Sequence, residues 1–260
     1  MSNERRNIMH PFYEPKGAAR EYAPLALNLY NGCSHGCTYC YAPACVHRSR
    51  DDFRTNVTPR KGIIEALQKS LKREVPKQTV LLSFTSDPYQ RLEAEAKITR
   101  AALETMDGLG MDVAILTKST RVERDFNLIA KNGWHLGMTL SCWEPEFAEE
   151  YEFFVSLPHY RYETLRDSEE IGIKTFVSIE PVLNEKELAL IFDAITPLRL
   201  ESGVRIGKWN HSPEADKIDW KRVLDMSLDF AVRTGHKVYI KDALTEYGDV
   251  PQHLRVRPFG

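Results

Sequence analysis

The sequence predicts an α/β protein built as a partial or complete (β/α) barrel of about six to seven βα units. Short apolar runs of strand length alternate with amphipathic stretches of helical length along most of the 260 residues. Glycines stand shortly before several of these strands, where a left-handed residue ends a helix. Alternation of this kind requires parallel pairing with helical crossovers, and a doubly wound open sheet is the alternative architecture.

Seven strands are predicted from runs rich in Val, Ile, Leu and Thr. They cover residues 25–30, 79–84, 112–117, 135–141, 174–180, 204–207 and 237–240. Between them, apolar residues at helical spacing predict helices over 63–71, 98–109, 188–198 and 220–231. In either architecture ligands bind at the carboxyl ends of the strands, so the residues that follow each strand are the first candidates for chemistry.

The chain contains no repeat and no linker that would separate two domains. We expect an N-terminal arm at residues 1–19, one barrel domain at 20–250 and a C-terminal tail at 251–260. The 35 Lys and Arg nearly balance the 37 Asp and Glu, for a net charge of −2, which gives no broad electrostatic footprint for nucleic acid. No apolar run approaches the ~20 residues that cross a bilayer, and the first ten residues are polar. We therefore expect a cytoplasmic protein with no membrane association.

Three of the five cysteines, Cys33, Cys37 and Cys40, form a C-x3-C-x2-C run directly after the first predicted strand. Clustered thiols in a reducing compartment indicate metal or redox chemistry. An iron–sulfur cubane normally takes four cysteines, so three leave one iron open to another ligand. The alternative is a tetrahedral zinc site closed by His35, His47 or Cys45. A cluster with four protein ligands would instead make the chain an electron carrier or a regulatory sensor.

The residue before the third cysteine is aromatic, Tyr39. In this respect the chain resembles the radical S-adenosylmethionine (SAM) superfamily, whose hallmark is Cys-x3-Cys-x-aromatic-Cys on the loop after the first strand. The resemblance implies a [4Fe-4S] cluster held by Cys33, Cys37 and Cys40, with SAM chelating the fourth iron. It also implies an external electron donor of the flavodoxin or ferredoxin type and reductive cleavage of SAM to a 5′-deoxyadenosyl radical, which abstracts hydrogen from a substrate.

Polar residues follow the later strands as well. Ser86 and Asp87 end the second strand, where this superfamily contacts the methionine amino group, although Asp-Pro is also a common helix-capping turn. Lys118 follows the third strand. It is a candidate point charge for the SAM carboxylate, and its alternative role is that of a solvated loop residue. Ser141 ends the fourth strand and suits the ribose hydroxyls, while Glu180 ends the fifth and suits ribose or substrate.

Within the superfamily, the chain resembles spore photoproduct lyases and the related DNA-repair photolyase-like proteins. The resemblance rests on the segments at 32–41 and 85–87 and on Lys118. It implies that Tyr39, Ser86 and Lys118 lie at the cofactors, and that Tyr39 and Tyr41 relay a hydrogen atom.

One position departs from this pattern. Phe84 stands where these lyases have the cysteine that donates hydrogen to the product radical. Cys142, after the fourth strand, is a candidate substitute donor, although a free cysteine near a strand end more often serves as small core packing. The sequence thus predicts a radical SAM enzyme acting on an unidentified substrate, with a nucleic-acid lesion or a nucleotide as candidates. A zinc-stabilised or iron–sulfur protein without SAM turnover is the alternative.

Two charged segments bear on the substrate. Positive charge is in local excess only from His47 to Lys61, with a smaller contribution from Arg255 and Arg257, which is weak for DNA. The acidic run from Glu144 to Glu152 is expected to be a solvated helix surface, since charge runs of this kind usually face water.

Overall fold

A computed structural model describes residues 10–210 and 212–259 of the chain. Residues 1–9 of the expected N-terminal arm and the last residue of the expected tail lie outside the described residues. Among the residues it does describe, no helix combines the length and the apolar character required to cross a membrane.

The strands are β1 (Leu25–Ala26), β2 (Tyr30–Asn31), β3 (Thr58–Pro59), β4 (Val80–Leu82), β5 (Val113–Thr117), β6 (His135–Thr139), β7 (Lys174–Ile179), β8 (Val204–Ile206) and β9 (Val238–Ile240). The α-helices are α1 (Ala42–Cys45), α2 (Arg50–Thr55), α3 (Ile63–Leu71), α4 (Glu93–Ala96), α5 (Ile98–Met106), α6 (Phe126–Asn132), α7 (Pro145–Tyr151), α8 (Pro158–Glu170), α9 (Glu185–Ile195) and α10 (Trp220–Thr234). Short 3-10 helices lie at Gly17–Glu21, Thr120–Asp125, Pro213–Lys217, Asp242–Tyr247 and Gln252–Arg255.

Seven of the strands form one parallel sheet in the order β1-β4-β5-β6-β7-β8-β9, curled into a half-barrel. Each of the seven predicted strand segments contains one of its strands, and the four predicted helices correspond to α3, α5, α9 and α10. The barrel prediction is therefore confirmed in its partial form, with β1 and β9 at the two edges.

The first predicted strand, 25–30, is divided in two. β1 joins the parallel sheet, whereas β2 leaves it and pairs with β3 as an antiparallel ribbon. The buried Asn28 lies at the break, where its side chain donates to the Tyr13 hydroxyl and accepts from the backbone N–H of Phe84. This departure carries the chain out of the sheet and into the cysteine loop.

The two faces of the sheet bury different side chains, as the two-residue period of a strand requires. Val113 and Ile115 of β5 point outward into the large core shared with the helices. Ala114 points into the barrel and packs in a smaller cluster with Phe176. Gly137 leaves the space that the Phe176 ring occupies, because a Cβ there would lie 2.1 Å from Phe176 Cε2.

A cavity of about 1120 Å³ lies at the amino ends of the strands, bordered by His135, Lys174 and Lys237. It is at the opposite end of the sheet from the cysteine loop. Barrel enzymes place their chemistry at the carboxyl ends and use the amino ends for stability. The candidate site therefore lies at the carboxyl ends of the strands, with the cysteine loop, and not in this cavity.

Candidate functional site

The cysteine loop runs from the end of β2 to the start of α1 and is held down by α2. The backbone N–H of Cys33 donates to the Phe53 carbonyl at 3.0 Å. Gly32 has a φ of 81°, and a Cβ at this position would lie 2.6 Å from the same carbonyl oxygen. Only glycine therefore allows the loop to approach α2 this closely. Cys37 is buried, and Cys33 and Cys40 are half-buried.

Burial raises the pKa of the Cys37 thiol to about 12, and it also raises the pKa values of Cys33 and Cys40. Hydrogen bonds from the backbone N–H groups of His35 and Asp87 lower the pKa of Cys33, but burial outweighs them. The three thiols therefore become thiolates only when a positive partner compensates the charge, which is the role of a bound metal.

The donor set of the loop is three cysteine thiols, which is the chemistry that an iron–sulfur cubane takes when one iron is left open. Across residues 10–210 and 212–259, no three His, Cys, Asp or Glu side chains converge closely enough to ligate one metal ion. Cysteines of a cubane each bind a different iron, so they are spaced more widely than the ligands of one zinc ion. Cys45, one of the candidate fourth ligands, is exposed.

Asp87 connects the cysteine loop to the end of β5. Its carboxylate accepts from the Thr117 hydroxyl at 2.7 Å and from the Lys118 backbone N–H at 2.8 Å. It also accepts from the Tyr89 backbone N–H at 2.8 Å and lies 3.5 Å from Nδ1 of His35. Protein donors therefore reach both carboxylate oxygens of Asp87, and the turn anticipated at Asp-Pro is present.

Several buried polar atoms near the strand ends have no hydrogen-bond partner among the described residues. They include Oγ of Ser86, Oγ of Ser141, Oγ of Ser34 and Nε2 of His35. Buried polar groups are almost always satisfied in folded proteins, and unsatisfied ones require an explanation. A polar ligand at the carboxyl ends of β4 and β6 would provide the missing partners.

Lys118 supplies a cation at the end of β5. Its ammonium has no carboxylate within 4.0 Å in the described part of the chain, and it lies 5.5 Å from the centre of the Tyr39 ring. Burial lowers the pKa of Lys118, but the negative charges of Cys37 and Glu152 raise it by more, so the pKa lies above its ordinary value. The side chain is therefore protonated and available to an anionic group.

Tyr39 belongs to a buried polar network that the sequence did not reveal. Its hydroxyl donates to Glu152, which is ion-paired with Arg161. Arg161 in turn donates to the Thr139 carbonyl at the end of β6, at 2.7 Å. Glu152 is only 4% exposed, so the expectation of a solvated acidic run is wrong at its last residue. Tyr41, by contrast, is 45% exposed and donates to the Phe84 carbonyl at 3.0 Å.

Cys142 and Glu180 complete the predicted set. Cys142 is fully buried within the large core, and burial raises its pKa. Glu180 at the end of β7 accepts from Lys241 at 2.7 Å, and the pair faces Gly207, where a Cβ would lie 2.6 Å from Glu180 Cδ. Lys241 also donates to the Ala18 carbonyl at 3.0 Å. The Glu180 carboxylate is therefore already paired with a lysine. The Lys118 ammonium, by contrast, has no carboxylate partner among the described residues.

The comparisons with known proteins agree with this site. Residues 27–194 match the radical SAM superfamily. An uncharacterized protein of Mycobacterium bovis is 30% identical over 179 residues, which cover 65% of this chain and 52% of that protein. The chain therefore spans about half the length of this relative.

Two solved structures share the fold. A spore photoproduct lyase mutant with bound AdoMet and dinucleoside spore photoproduct aligns with a TM-score of 0.57 at 16% identity, covering 82% of this chain and 63% of that one. Streptococcus suis SuiB bound to S-adenosylmethionine aligns with a TM-score of 0.59 at 13% identity, covering 85% and 52%.

The matched range, residues 27–194, spans the positions of all three cysteines and of Ser86, Lys118, Ser141 and Glu180. This superfamily uses a [4Fe-4S] cluster and SAM, and the cysteine loop lies at the carboxyl end of the half-barrel. The chain belongs to the radical SAM superfamily.

Proposed function

We propose that this protein is an enzyme that binds a [4Fe-4S] cluster through Cys33, Cys37 and Cys40 and cleaves SAM reductively. The observation that carries the proposal is the unsatisfied ligand set beside the thiols, formed by the Ser86 and Ser141 hydroxyls and the Lys118 ammonium. When bound, the cluster and SAM together supply a 5′-deoxyadenosyl radical that abstracts a hydrogen atom from the substrate.

Each polar side chain has a role that follows from its chemistry. Lys118 pairs with the SAM carboxylate, because its ammonium has no competing carboxylate partner in the described residues. The Ser86 hydroxyl accepts from the amino group, and the Ser141 hydroxyl bonds the ribose. Asp87 holds the cysteine loop against β5, and Glu180, already paired with Lys241, borders the ribose or the substrate.

The reaction at the substrate is proposed from the remaining side chains. Tyr39, Tyr41 and Cys142 are the candidates to return a hydrogen atom to a product radical, since Phe84 occupies the position of the donor cysteine in spore photoproduct lyases. Tyr41 is the most accessible of the three, whereas Cys142 is enclosed by the core. The structure favours Tyr41 as the donor that a substrate reaches first.

The substrate class is proposed as a nucleic-acid lesion or a nucleotide. It is supported by the similarity of the half-barrel to the spore photoproduct lyase fold and by the Thr-Ser-Asp segment at residues 85–87, on which the resemblance to that family rests. The domain assignment, with one barrel unit at residues 20–250, belongs to the same proposal.

Anaerobic reconstitution with iron and sulfide, followed by dithionite and SAM, tests the cofactor chemistry. The protein should be brown and should release 5′-deoxyadenosine and methionine, measured by liquid chromatography and mass spectrometry. Cys37→Ala should lose both the colour and the product, whereas Cys45→Ala, a matched change at an exposed cysteine, should retain them. A colourless protein with stoichiometric zinc, or a reduced cluster that leaves SAM intact, would contradict the proposal.

Lesion-bearing oligonucleotides test the substrate class. Incubation with reconstituted protein, SAM and dithionite should convert a thymine-dimer or spore-photoproduct strand, detected as a mass change. Tyr41→Phe should retain SAM cleavage and lose substrate repair. If Tyr41→Phe repairs the lesion as well as the wild-type protein does, Tyr41 is not the hydrogen donor. If the wild-type protein converts none of the lesions, the proposed substrate class is wrong.

A further inference from the structure

Ser202, His135 and Asp112 form a hydrogen-bonded chain at the amino ends of the strands, where all three border the cavity of about 1120 Å³. The Ser202 hydroxyl lies 2.7 Å from Nδ1 of His135, and Nε2 of the same ring lies 3.0 Å from the Asp112 carboxylate. A hydroxyl within hydrogen-bond reach of a base, which a third group orients, is the signature of an activated nucleophile. Such a triad is recognised by its geometry and not by its place in a fold.

The chemistry of the three groups determines the direction of these hydrogen bonds. A carboxylate only accepts, so Nε2 of His135 carries the ring proton and donates to Asp112. The Nδ1 lone pair is then left to accept from the Ser202 hydroxyl. The hydrogen bond from His135 lowers the pKa of Asp112, and the Thr79 hydroxyl donates to the second oxygen of this carboxylate. His135 is therefore held with its basic nitrogen facing Ser202.

A tight turn between α9 and β8 holds Ser202 in place. The N–H of Gly203 donates to the Leu200 carbonyl at 2.7 Å, and the N–H of Ser202 donates to the Thr175 carbonyl at 2.9 Å. Leu200 has a φ of 42°, which is uncommon for a residue with a side chain. A Cβ at Gly203 would lie 2.5 Å from the Lys237 carbonyl oxygen, so the turn packs tightly against the start of β9. Backbone in such a conformation persists only where the surrounding structure enforces it, and it is concentrated at functional sites.

Lys237 brings a cation next to the serine. Its ammonium donates to the Glu201 carbonyl at 3.1 Å, and this carbonyl belongs to the peptide group that precedes Ser202. An ammonium at this position can stabilise the negative oxygen that develops when a hydroxyl attacks a carbonyl carbon. The backbone N–H groups of Ser202 and Gly203 already donate to carbonyls of the described chain, so we assign this role to Lys237.

The charges around the cavity indicate the substrate class. Four cationic side chains border it against two carboxylates: Lys77, Lys174, Lys237 and Arg257, and Asp112 and Glu201. Arg257 lies 3.9 Å from the Asp242 carboxylate, and Asp112 is already bonded within the triad. The ion pairs that lysines form in the described part of the chain lie elsewhere, which leaves Lys77 and Lys174 available to a ligand. The cavity therefore favours a substrate that carries an anionic group.

We propose that Ser202, His135 and Asp112 form a second active site, separate from the cysteine loop, that hydrolyses a carboxylic ester bearing an anionic group. The Ser202 oxygen attacks the ester carbonyl carbon while Nδ1 of His135 takes the hydroxyl proton. The bond from that carbon to the leaving oxygen then breaks, and His135 gives the proton to the released alcohol. Water attacks the acyl-serine with the same proton transfers, which releases the carboxylic acid and restores Ser202. Water is the only co-reactant, and this activity goes beyond the proposed function without depending on it.

A fluorophosphonate probe tests the nucleophile in the full chain with its cluster reconstituted. The probe should form a covalent adduct on Ser202, located by mass spectrometry of the proteolytic peptides. Ser202→Ala should abolish this adduct, and His135→Gln, which keeps polar groups but removes the base, should slow labelling by about one hundredfold. Ser156→Ala is the matched control, because Ser156 is also half-buried but its hydroxyl bonds to Thr120 instead of a histidine. This control should be labelled at Ser202 as fast as the wild-type protein.

Hydrolysis of two p-nitrophenyl esters tests the substrate class and the role of Asp112. One ester is the neutral acetate, and the other is a glutarate monoester that ends in a free carboxylate. The glutarate ester should have the higher kcat/KM, and Lys174→Met should reduce this preference by about tenfold at low ionic strength. Lys217→Met, at an exposed lysine that pairs with Glu214, should leave the preference unchanged. Asp112→Asn should lower kcat by about tenfold or more with little change in KM, because it orients the base without touching the substrate.

The adduct is mapped on the wild-type chain, so the test holds even if a variant fails to fold. A wild-type protein that forms no adduct on Ser202 would overturn the second active site, and so would equal labelling of wild type and His135→Gln. In either case the hydrogen-bonded chain only joins the amino ends of β5, β6 and β8. Equal kcat/KM values for the acetate and glutarate esters would overturn the anionic substrate class.

Discussion

The hydroxyl of Tyr39 donates a hydrogen bond to the buried carboxylate of Glu152, although the two residues are 113 positions apart in the chain. This bond ties the aromatic residue of the cysteine motif to the segment between α7 and α8. Burial raises the pKa of the Glu152 carboxyl, but Arg161 and Lys118 outweigh it, so the pKa is held below its ordinary value. The Tyr39 hydroxyl is therefore held by an ionised acceptor and keeps a fixed orientation beside the thiols.

Removing Glu152 from this bond should lower the free energy of unfolding more than removing the Tyr39 hydroxyl. Glu152→Gln leaves the fully buried Arg161 without its counter-ion, which we expect to lower the free energy of unfolding by about 3 kcal/mol. Tyr39→Phe removes one hydrogen bond to a charged acceptor and should cost about 1.5 kcal/mol. Urea denaturation of the protein without cluster measures both, and the double variant should cost less than the sum because the residues share a network. Equal costs for the two single variants would contradict the buried ion pair.

Tyr39→Phe also tests the hydrogen-atom relay. Because the Tyr39 hydroxyl is already bound to Glu152, we expect the variant to retain most of its SAM cleavage and its substrate conversion. The measurement compares 5′-deoxyadenosine formed with substrate converted, and Tyr41→Phe serves as the matched variant with an exposed ring. Loss of conversion in Tyr39→Phe with SAM cleavage intact would assign the relay to Tyr39.

The sequence predicts the parts of this site that depend on local pattern. The apolar runs of β4 and β5 and the spacing of Cys33, Cys37 and Cys40 are properties of short segments. The runs place the strand ends correctly, and the spacing identifies the loop that carries the three thiols. Glu152 was missed because its burial depends on Arg161 and Tyr39, which approach only in the folded chain. α8 was missed because it buries polar side chains, Arg161, Thr164 and Ser168 among them, and so lacks an apolar stripe.

Ser86→Ala and Ser141→Ala should separate folding from cofactor binding. Neither hydroxyl oxygen has a hydrogen-bond partner among the described residues, so its removal should leave the stability of the cofactor-free protein unchanged or slightly higher. Each variant should weaken SAM binding by about threefold to tenfold, measured by calorimetry on the reconstituted protein. The control is Ser168→Ala, which removes a buried hydroxyl bonded to the Leu165 carbonyl at 2.7 Å. It should lower stability and leave SAM binding intact, and the reverse pattern would remove these serines from the SAM site.

Lys118→Met tests the point charge for the SAM carboxylate. The variant keeps an unbranched side chain and removes the ammonium, so SAM affinity should fall by about tenfold to one hundredfold. Decarboxylated SAM provides the internal control, because a ligand without the carboxylate should bind the wild-type protein and the variant equally. Lys217→Met is the matched change at an exposed lysine that pairs with Glu214, and it should leave the affinity for both ligands unchanged. An equal loss of affinity for both ligands in Lys118→Met would show that the lysine acts through packing instead of charge.

The last prediction concerns the pH dependence of the network beneath the Thr-Ser-Asp segment. The Asp125 carboxylate is buried, accepts from Tyr89 at 2.9 Å and pairs with Arg100 and Arg124. Burial raises the pKa of Asp125, but Arg124 and Arg100 outweigh it, so the pKa lies below its ordinary value of 3.8. A depressed pKa means that the contribution to stability is complete above pH 3.8 and is lost as the pH falls through the folded-state pKa.

Asp125→Asn should therefore destabilise the protein by about 3 kcal/mol at pH 7, because it leaves two arginines beside a neutral amide. The difference in free energy of unfolding between wild type and variant should narrow as the pH falls below 3.8, since the unfolded wild-type carboxyl is then protonated and the folded carboxyl follows at its lower pKa. Urea midpoints measured from pH 7 to pH 3 provide the test. The matched control is Asp225→Asn, at an exposed aspartate paired with Lys221, which should change stability little at any pH because exposed pairs are screened by water. If the difference in stability between wild type and Asp125→Asn stays constant from pH 7 to pH 3, Asp125 stabilises the fold through its shape and not through its charge.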